Sequence, residues 1–187
     1  MYKLTPEYEW WDQIYEDAKE EGEDLGFDIS HIYFSGFYSQ GDGALWTGWV
    51  NMIPWLEKNK QGDAHAHIVL ALMENGWVDY NMLIGSRGRD SHSSNMTREH
   101  ITAVEPRTES VFEKGMFAGA NVDNLVQALP ESYLDDIADE VLQSARDYAD
   151  DIYKRLRDEY EHLCSEETIA ELCDANEYLF DENGNLL

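Results

Sequence analysis

The chain has 187 residues, with 39 Asp and Glu against 13 Lys and Arg, for a formal net charge of −26. At about 100–200 residues per domain this is one domain, 1–187, and 43% hydrophobic residues are enough for a core, which excludes a wholly disordered acidic tail. Apolar runs such as Ile68–Met73 fall far short of the roughly 18 residues of a membrane helix, and no basic-then-apolar leader opens the chain, so a soluble, cytoplasmic protein is expected.

Thr5-Pro6-Glu7 combines an N-cap residue, a proline suited to the first helical position and an early acid. Tyr8, Trp11, Ile14, Tyr15, Ala18 and Leu25 follow a 3.6-residue period, which predicts a helix from about Pro6 to Asp24, stopped near Gly26. From Ser30 the pattern changes to aromatic-rich strand over His31–Tyr38, and again over Ala44–Val50, with the turn-forming Ser39-Gln40-Gly41-Asp42-Gly43 between them; this predicts a hairpin. Asp63 can cap a helix over Ala64–Glu74 that Asn75-Gly76 ends. Strands are predicted near Val78–Gly85 and Asn95–Val104, and a short helix at Val122–Leu129.

Pro130-Glu131-Ser132 opens the longest helix, whose apolar stripe Leu134, Ile137, Val141, Ala145, Tyr148, Ile152, Leu156, Tyr160 and Leu163 steps by threes and fours. A short helix capped by Ser165 follows, and Asn183-Gly184 between Tyr178-Leu179-Phe180 and Leu186-Leu187 predicts a small terminal hairpin. The expected fold class is α+β: a small antiparallel sheet of about four strands packed on one side with an N-terminal helix and a long acidic C-terminal helix.

The charge is concentrated at the ends. Residues 1–28 hold ten acids against two bases, residues 131–187 hold eighteen against four, and the stretch between them is close to ordinary at eleven against seven. On the long helix Asp136, Glu140, Asp147, Asp151 and Asp158 are spaced four, seven, four and seven, which puts them on one face, with Asp139 and Asp150 in an adjoining row. The N-terminal helix adds Glu9, Asp12, Glu16 and Glu20. Like charges four apart destabilise a helix by a few tenths of a kcal/mol per pair, and solubility needs a net charge of only about 2–8 in magnitude, so the excess points to a basic partner.

Other patterns carry less. In Asp63-Ala64-His65-Ala66-His67 the two imidazoles would share a face on a strand, but on a helix they point about 200° apart and cannot share an ion, so no metal is expected. His92, near Glu99 and His100 and beside Arg87 and Arg89, reads as a hydrogen-bonding loop residue, and no placed acid–base pair predicts an enzyme or a cofactor. Gly41 and Gly43 lead from strand to strand and read as turn geometry. Cys164 and Cys173 can make neither a disulfide framework nor an all-cysteine zinc site and are expected to be reduced. Among Trp10, Trp46, Trp49, Trp55 and Trp77, most are expected in the core, with exposed ones able to anchor a partner.

The run Tyr33-Phe34-Ser35-Gly36-Phe37-Tyr38-Ser39-Gln40-Gly41-Asp42-Gly43-Ala44 resembles the SGFxSQGDGA motif of small acidic proteins of tailed bacteriophages, some of them labelled antitoxin-like. Arg89–Met96 and Ala175–Gly184 fit the same resemblance, which departs at Asp90, where an aromatic is expected. The resemblance implies a phage origin and one compact fold, and supplies no activity. Together with the acidic rows it leads to an expected function: an accessory protein that inhibits a host nucleic-acid-binding defence complex of restriction or CRISPR type by DNA mimicry. The partner would be a host DNA-binding or nuclease protein with a basic surface, met in the host cytoplasm, with no direct nucleic acid binding and with a homodimer left open. The alternative is an antitoxin-like or assembly protein that binds its partner through the aromatic hairpin, with changes at Trp46 or Trp49 as its probe.

Overall fold

The computed structural model describes residues 10–88, 90–104, 112, 115–179 and 181; from His100 to Val104 the backbone alone is described. In chain order the elements are α1 (Asp12–Asp24), β1 (Phe27–Ser35), β2 (Gly43–Val50), α2 (Met52–Asn59), α3 (Ala64–Glu74), β3 (Val78–Ser86), a 3₁₀ turn at Ser93–Asn95, β4 (Met96–Val104), α4 (Val122–Ala128), α5 (Tyr133–Leu163) and α6 (Glu166–Ala175). The strands form one antiparallel sheet in the order β1-β2-β3-β4. The fold is α+β, as the periodicities indicate. No helix among the described residues is long and apolar enough to cross a membrane.

Alternation along the strands decides which face is covered. Phe27, Ile29, Ile32, Trp46, Val50, Val78, Tyr80, Met82, Ile84 and Met96 are buried, whereas Asp28, His31, Tyr33, Trp49, Asp79 and Glu99 are exposed on the opposite face. In β1 that alternation survives only through a bulge. Ile29 pairs with Gly48 and His31 with Thr47, so Ser30 is the extra residue and resets the phase, letting Phe27, Ile29 and Ile32 all point inward. Gly48 permits this approach, because a Cβ there would run into the Asp28 carbonyl oxygen.

α5 lies over the covered face. Ile137, Val141, Ala145, Tyr148, Ile152 and Leu156 are buried at steps of three and four, and the Trp46 indole Nε1–H donates to the Ala145 carbonyl at 3.0 Å. The Tyr148 hydroxyl donates to the Ala18 carbonyl of α1 at 2.6 Å, which seats α1 beside α5 on the same side of the sheet. Tyr80 donates to the Leu134 carbonyl at 2.7 Å, so β3 fixes the start of α5.

Several expectations shift. The first helix begins at Asp12: Trp10 and Trp11 form a turn, because their rings pack edge to face with Phe34 at the sheet end, and the proposed start at Thr5-Pro6 lies outside the described residues. The first strand runs Phe27–Ser35 instead of His31–Tyr38, since Gly36, at φ 50°, turns the chain and leaves Phe37 and Tyr38 in a loop. Helix α2 is an element the pattern did not predict; the Asn51 side chain caps it by accepting from the Ile53 amide. Asp63 caps α3 as expected, accepting from the His65 and Ala66 amides. The terminal hairpin lies outside the described residues apart from Tyr178, Leu179 and Asp181, and α6 has no buried residue.

Candidate protein-binding surface

The acidic rows follow from how α5 is seated. At about 100° per residue, Asp136, Glu140, Asp147, Asp151 and Asp158 fall within an arc of about 60°, on one flank of the buried stripe. Asp139 and Asp150 stand nearer the outermost line, and all seven are exposed. The two rows meet different neighbours. On one flank Glu140 accepts from Lys60, which follows α2, at 2.6 Å; on the other Asp139 accepts from the Arg98 Nε of β4 at 2.8 Å.

Further along, Asp151 pairs with Arg155 at 2.7 Å and Asp158 with Arg157 at 3.5 Å. Asp136 accepts from the Ser132 hydroxyl at 3.0 Å and Asp147 from the Gln143 amide at 2.8 Å. The face is therefore less charged than its spacing alone suggests: four of the seven carboxylates, Asp139, Glu140, Asp151 and Asp158, have cations beside them, contributed in part by residues far away in the chain. Asp136, Asp147 and Asp150 have no Lys or Arg partner among the described residues. Exposed pairs of this kind contribute about 0–1 kcal/mol each, so they trim the field of the face more than they stabilise the fold.

α1 extends the same side of the sheet. All seven of its carboxylates are exposed, among them Asp12, Glu16 and Glu20, with Glu16 taking Lys19 at 2.8 Å; Glu9 lies outside the described residues. Glu21, which the sequence reading missed, is the link to α5, accepting from Arg155 at 2.6 Å while the same guanidinium holds Asp151. The hydrogen bond that Arg155 donates to Glu21 outweighs burial and, with Asp151, raises the Arg155 pKa above its ordinary value. A signal for Glu21 was present. It stands one residue before Gly22 and three after Ala18, the two buried residues of α1, and so flanks its packed face.

The hairpin end is a second feature. Phe37 stacks on Phe34, Tyr153 and Tyr160 at centroid distances of 5.5, 5.7 and 5.0 Å, and Trp10 packs against Phe37 and Tyr160. The loop is closed by Asp42, whose Oδ2 accepts from the amides of Tyr38 and Ser39, and a Cβ on Gly36 would press into that carboxylate. Gly43 packs against the His92 ring, so the Ser-Gly-Phe and Gly-Asp-Gly pieces of the motif have structural work to do in the turn. Trp46, offered as a contact residue of the hairpin, is fully buried under α5 and cannot meet a partner; Trp55 is buried as well. Trp49 and Tyr33 are 42% and 46% exposed on the uncovered sheet face.

The remaining residues hold the fold. His65 and His67 lie on α3, as the helical reading requires, and the His65 ring packs 5.2 Å from Tyr133. Burial would raise the Asp63 carboxyl pKa, but hydrogen bonds from the Tyr133 hydroxyl and the His65 and Ala66 amides, with Lys60 nearby, hold it below its ordinary value. His92 accepts from the Ser94 amide through Nδ1 at 3.1 Å, the loop role expected of it; Arg89 and the His100 side chain are outside the described residues. No three His, Cys, Asp or Glu gather around a common point among the described residues, and both cysteines are free.

A model of the family described as "Domain of unknown function (DUF8835)" matches residues 10–166, from the turn before α1 to the start of α6. No curated protein and no solved structure matches the chain.

Proposed function

The chain belongs to the DUF8835 family, and we propose that it acts as a protein-binding inhibitor: a phage accessory protein that occupies the nucleic-acid track of a basic host protein, of restriction or CRISPR type. The observation that supports this most is the placement of α1 beside α5 on one side of the sheet, joined through Glu21, Arg155 and Asp151. From Asp136 to Asp158 is about 33 Å along a helix axis, a length over which duplex DNA carries about 20 phosphates. The row on α5 alone is too sparse to match that density; the seven carboxylates of α1 bring it closer. Inhibition is then competitive occlusion, with Asp136, Asp147 and Asp150 as the principal contacts, because they have no Lys or Arg partner among the described residues.

Association with a basic partner would be fast and would weaken steeply as salt rises. The test is competition: a nucleic-acid enzyme captured from bacterial lysate by the immobilised chain should be released by duplex DNA. A captured enzyme that duplex DNA cannot displace would overturn occlusion.

One observation favours a second reading. Trp49 and Tyr33 stand half-exposed on the sheet face away from the helices, a suitable anchor for the antitoxin-like or assembly role. Under that reading Trp49→Ala abolishes partner capture and neutralising the acids does not; Trp46 has no part in it.

A further inference from the structure

The aromatic end of the hairpin encloses an open cleft of about 420 Å³ between Trp10, Phe34, Phe37, Tyr38, Asp42 and Tyr160. We propose that this cleft receives the guanidinium of an arginine side chain presented by a protein partner. The proposal rests on the reading that the partner is a basic protein, and it names the group that would anchor it.

Three features of the cleft select that chemistry. Its lining is aromatic: Phe37 and Tyr160 stack on each other with ring centroids 5.0 Å apart and planes 29° from parallel, Trp10 packs against both, and Tyr38, three-quarters exposed and 6.3 Å from Tyr160, is the outer wall whose ring stays open to a ligand. A planar cation lies against such faces far better than an anion or a neutral polar group. The lining also holds a carboxylate with capacity to spare. Both loop amides use Oδ2 of Asp42, and Oδ1 has no partner among the described residues. A guanidinium can donate to Oδ1 while its plane rests on the Tyr38 ring, whereas an ammonium offers a strongly hydrated point charge with no plane to stack.

Charge completes the match. The cleft opens beside Tyr160 near the end of α5, where Arg157 is shared between Asp158 at 3.5 Å and Glu161 at 4.0 Å, so that the two carboxylates together outweigh the one cation. In a chain of net charge −26 it is a concave site that joins stacked rings to an available carboxylate oxygen.

The experiment is a titration of the full isotope-labelled chain, followed by two-dimensional NMR, with acetyl-Gly-Arg-Gly-amide and with its lysine and citrulline analogues. The arginine peptide should give saturable shifts at the Trp10 indole and at the Tyr38 and Ser39 amides. The citrulline peptide, isosteric but uncharged, should bind about tenfold more weakly, and lysine should fall between them. Asp42→Asn keeps an oxygen for the two loop amides while removing the charge, and Tyr38→Ser removes an exposed wall; each should weaken the arginine peptide about tenfold with the rest of the spectrum unchanged.

Absent shifts at these groups, equal binding of citrulline, or undiminished binding by both variants would overturn the assignment. The chain with Asp136, Asp147 and Asp150 all changed to Asn separates the two claims, since it should bind the peptide as wild type does. If it loses the lysate partner while the peptide never binds, the cleft assignment falls and the acidic face stands. If the peptide binds and that variant keeps its partner, the cleft stands without the acidic face.

Discussion

The guanidinium of Arg155 on α5 reaches Glu21 of α1 at 2.6 Å and Asp151 of its own helix at 2.7 Å, so one cation holds together two helices that otherwise present carboxylates to each other. Arg155→Gln leaves those carboxylates facing without a cation. Because both ends of the pair are a third or more exposed, the loss should be about 1 kcal/mol or less at low salt, shrinking as salt screens the repulsion. Urea unfolding of wild type and variant at low and high salt measures it. An undiminished difference at high salt would contradict an electrostatic role.

Trp46 and Trp49 sit three residues apart on β2 and should respond oppositely to substitution. Trp46→Phe removes the hydrogen bond to the Ala145 carbonyl and opens a small void under α5, for a loss of about 1–3 kcal/mol. Trp49→Ala, on the open face, should change stability by about 0.5 kcal/mol or less. Denaturant midpoints of the two variants check this pair, and similar losses in both would show that the sheet face has been misassigned.

Gly48→Ala places a methyl group against the backbone carbonyl of Asp28 at the β1 bulge, where no side chain can move aside. The expected cost is about 1–3 kcal/mol, or a shift of the β1-β2 register. Gly62→Ala is the contrasting case: its Cβ would meet nothing, and only the positive φ of 92° is strained, at about 1–2 kcal/mol. Thermal unfolding together with amide exchange in β1 separates the two, since only the change at Gly48 should loosen the hairpin.

Stability should also depend on pH in two separate windows. Burial pushes the hydroxyls of Tyr15 and Tyr148 up to about 12 from the ordinary 10.0. The unfolded chain therefore releases these protons first: their contribution is complete below pH 10 and is lost as pH rises toward 12. On the acid side the depressed Asp63 carboxyl contributes stability above its ordinary value of 3.8 and loses it as pH falls through the lower folded value. Unfolding free energies across pH should show a shallower alkaline fall in Tyr148→Phe. In Asp63→Asn the acid-side difference from wild type should vanish at low pH. Curves parallel to wild type in both variants would contradict these assignments.

What could be read from the sequence was what depends on near neighbours. The hairpin, the Asp63 cap and the long helix all announce themselves within a few residues, through alternation, a cap residue before an apolar run, or steps of three and four. Helix α2 did not, because eight residues containing Pro54 give too short a run for a period, although its Asn51 cap was there to be read. The acidic face was legible as spacing but not as charge. Lys60 finds Glu140, Arg98 finds Asp139 and Arg155 finds Glu21 only after the sheet has brought distant segments together. For the same reason the sequence could not tell that Trp46 lies beneath α5, whereas the pairs of Asp151 with Arg155 and Asp158 with Arg157 lie within four residues of one helix and were open to a local reading.

Asp136, Asp147 and Asp150 give the most direct test of the account. Wild type and the chain carrying Asp136→Asn, Asp147→Asn and Asp150→Asn are immobilised side by side, exposed to bacterial lysate, and eluted in a salt gradient with the retained proteins identified by mass spectrometry. The account predicts a nucleic-acid enzyme held by wild type, released as salt rises and absent from the variant, with both chains equally folded. The same partner retained by both chains at the same salt would contradict it.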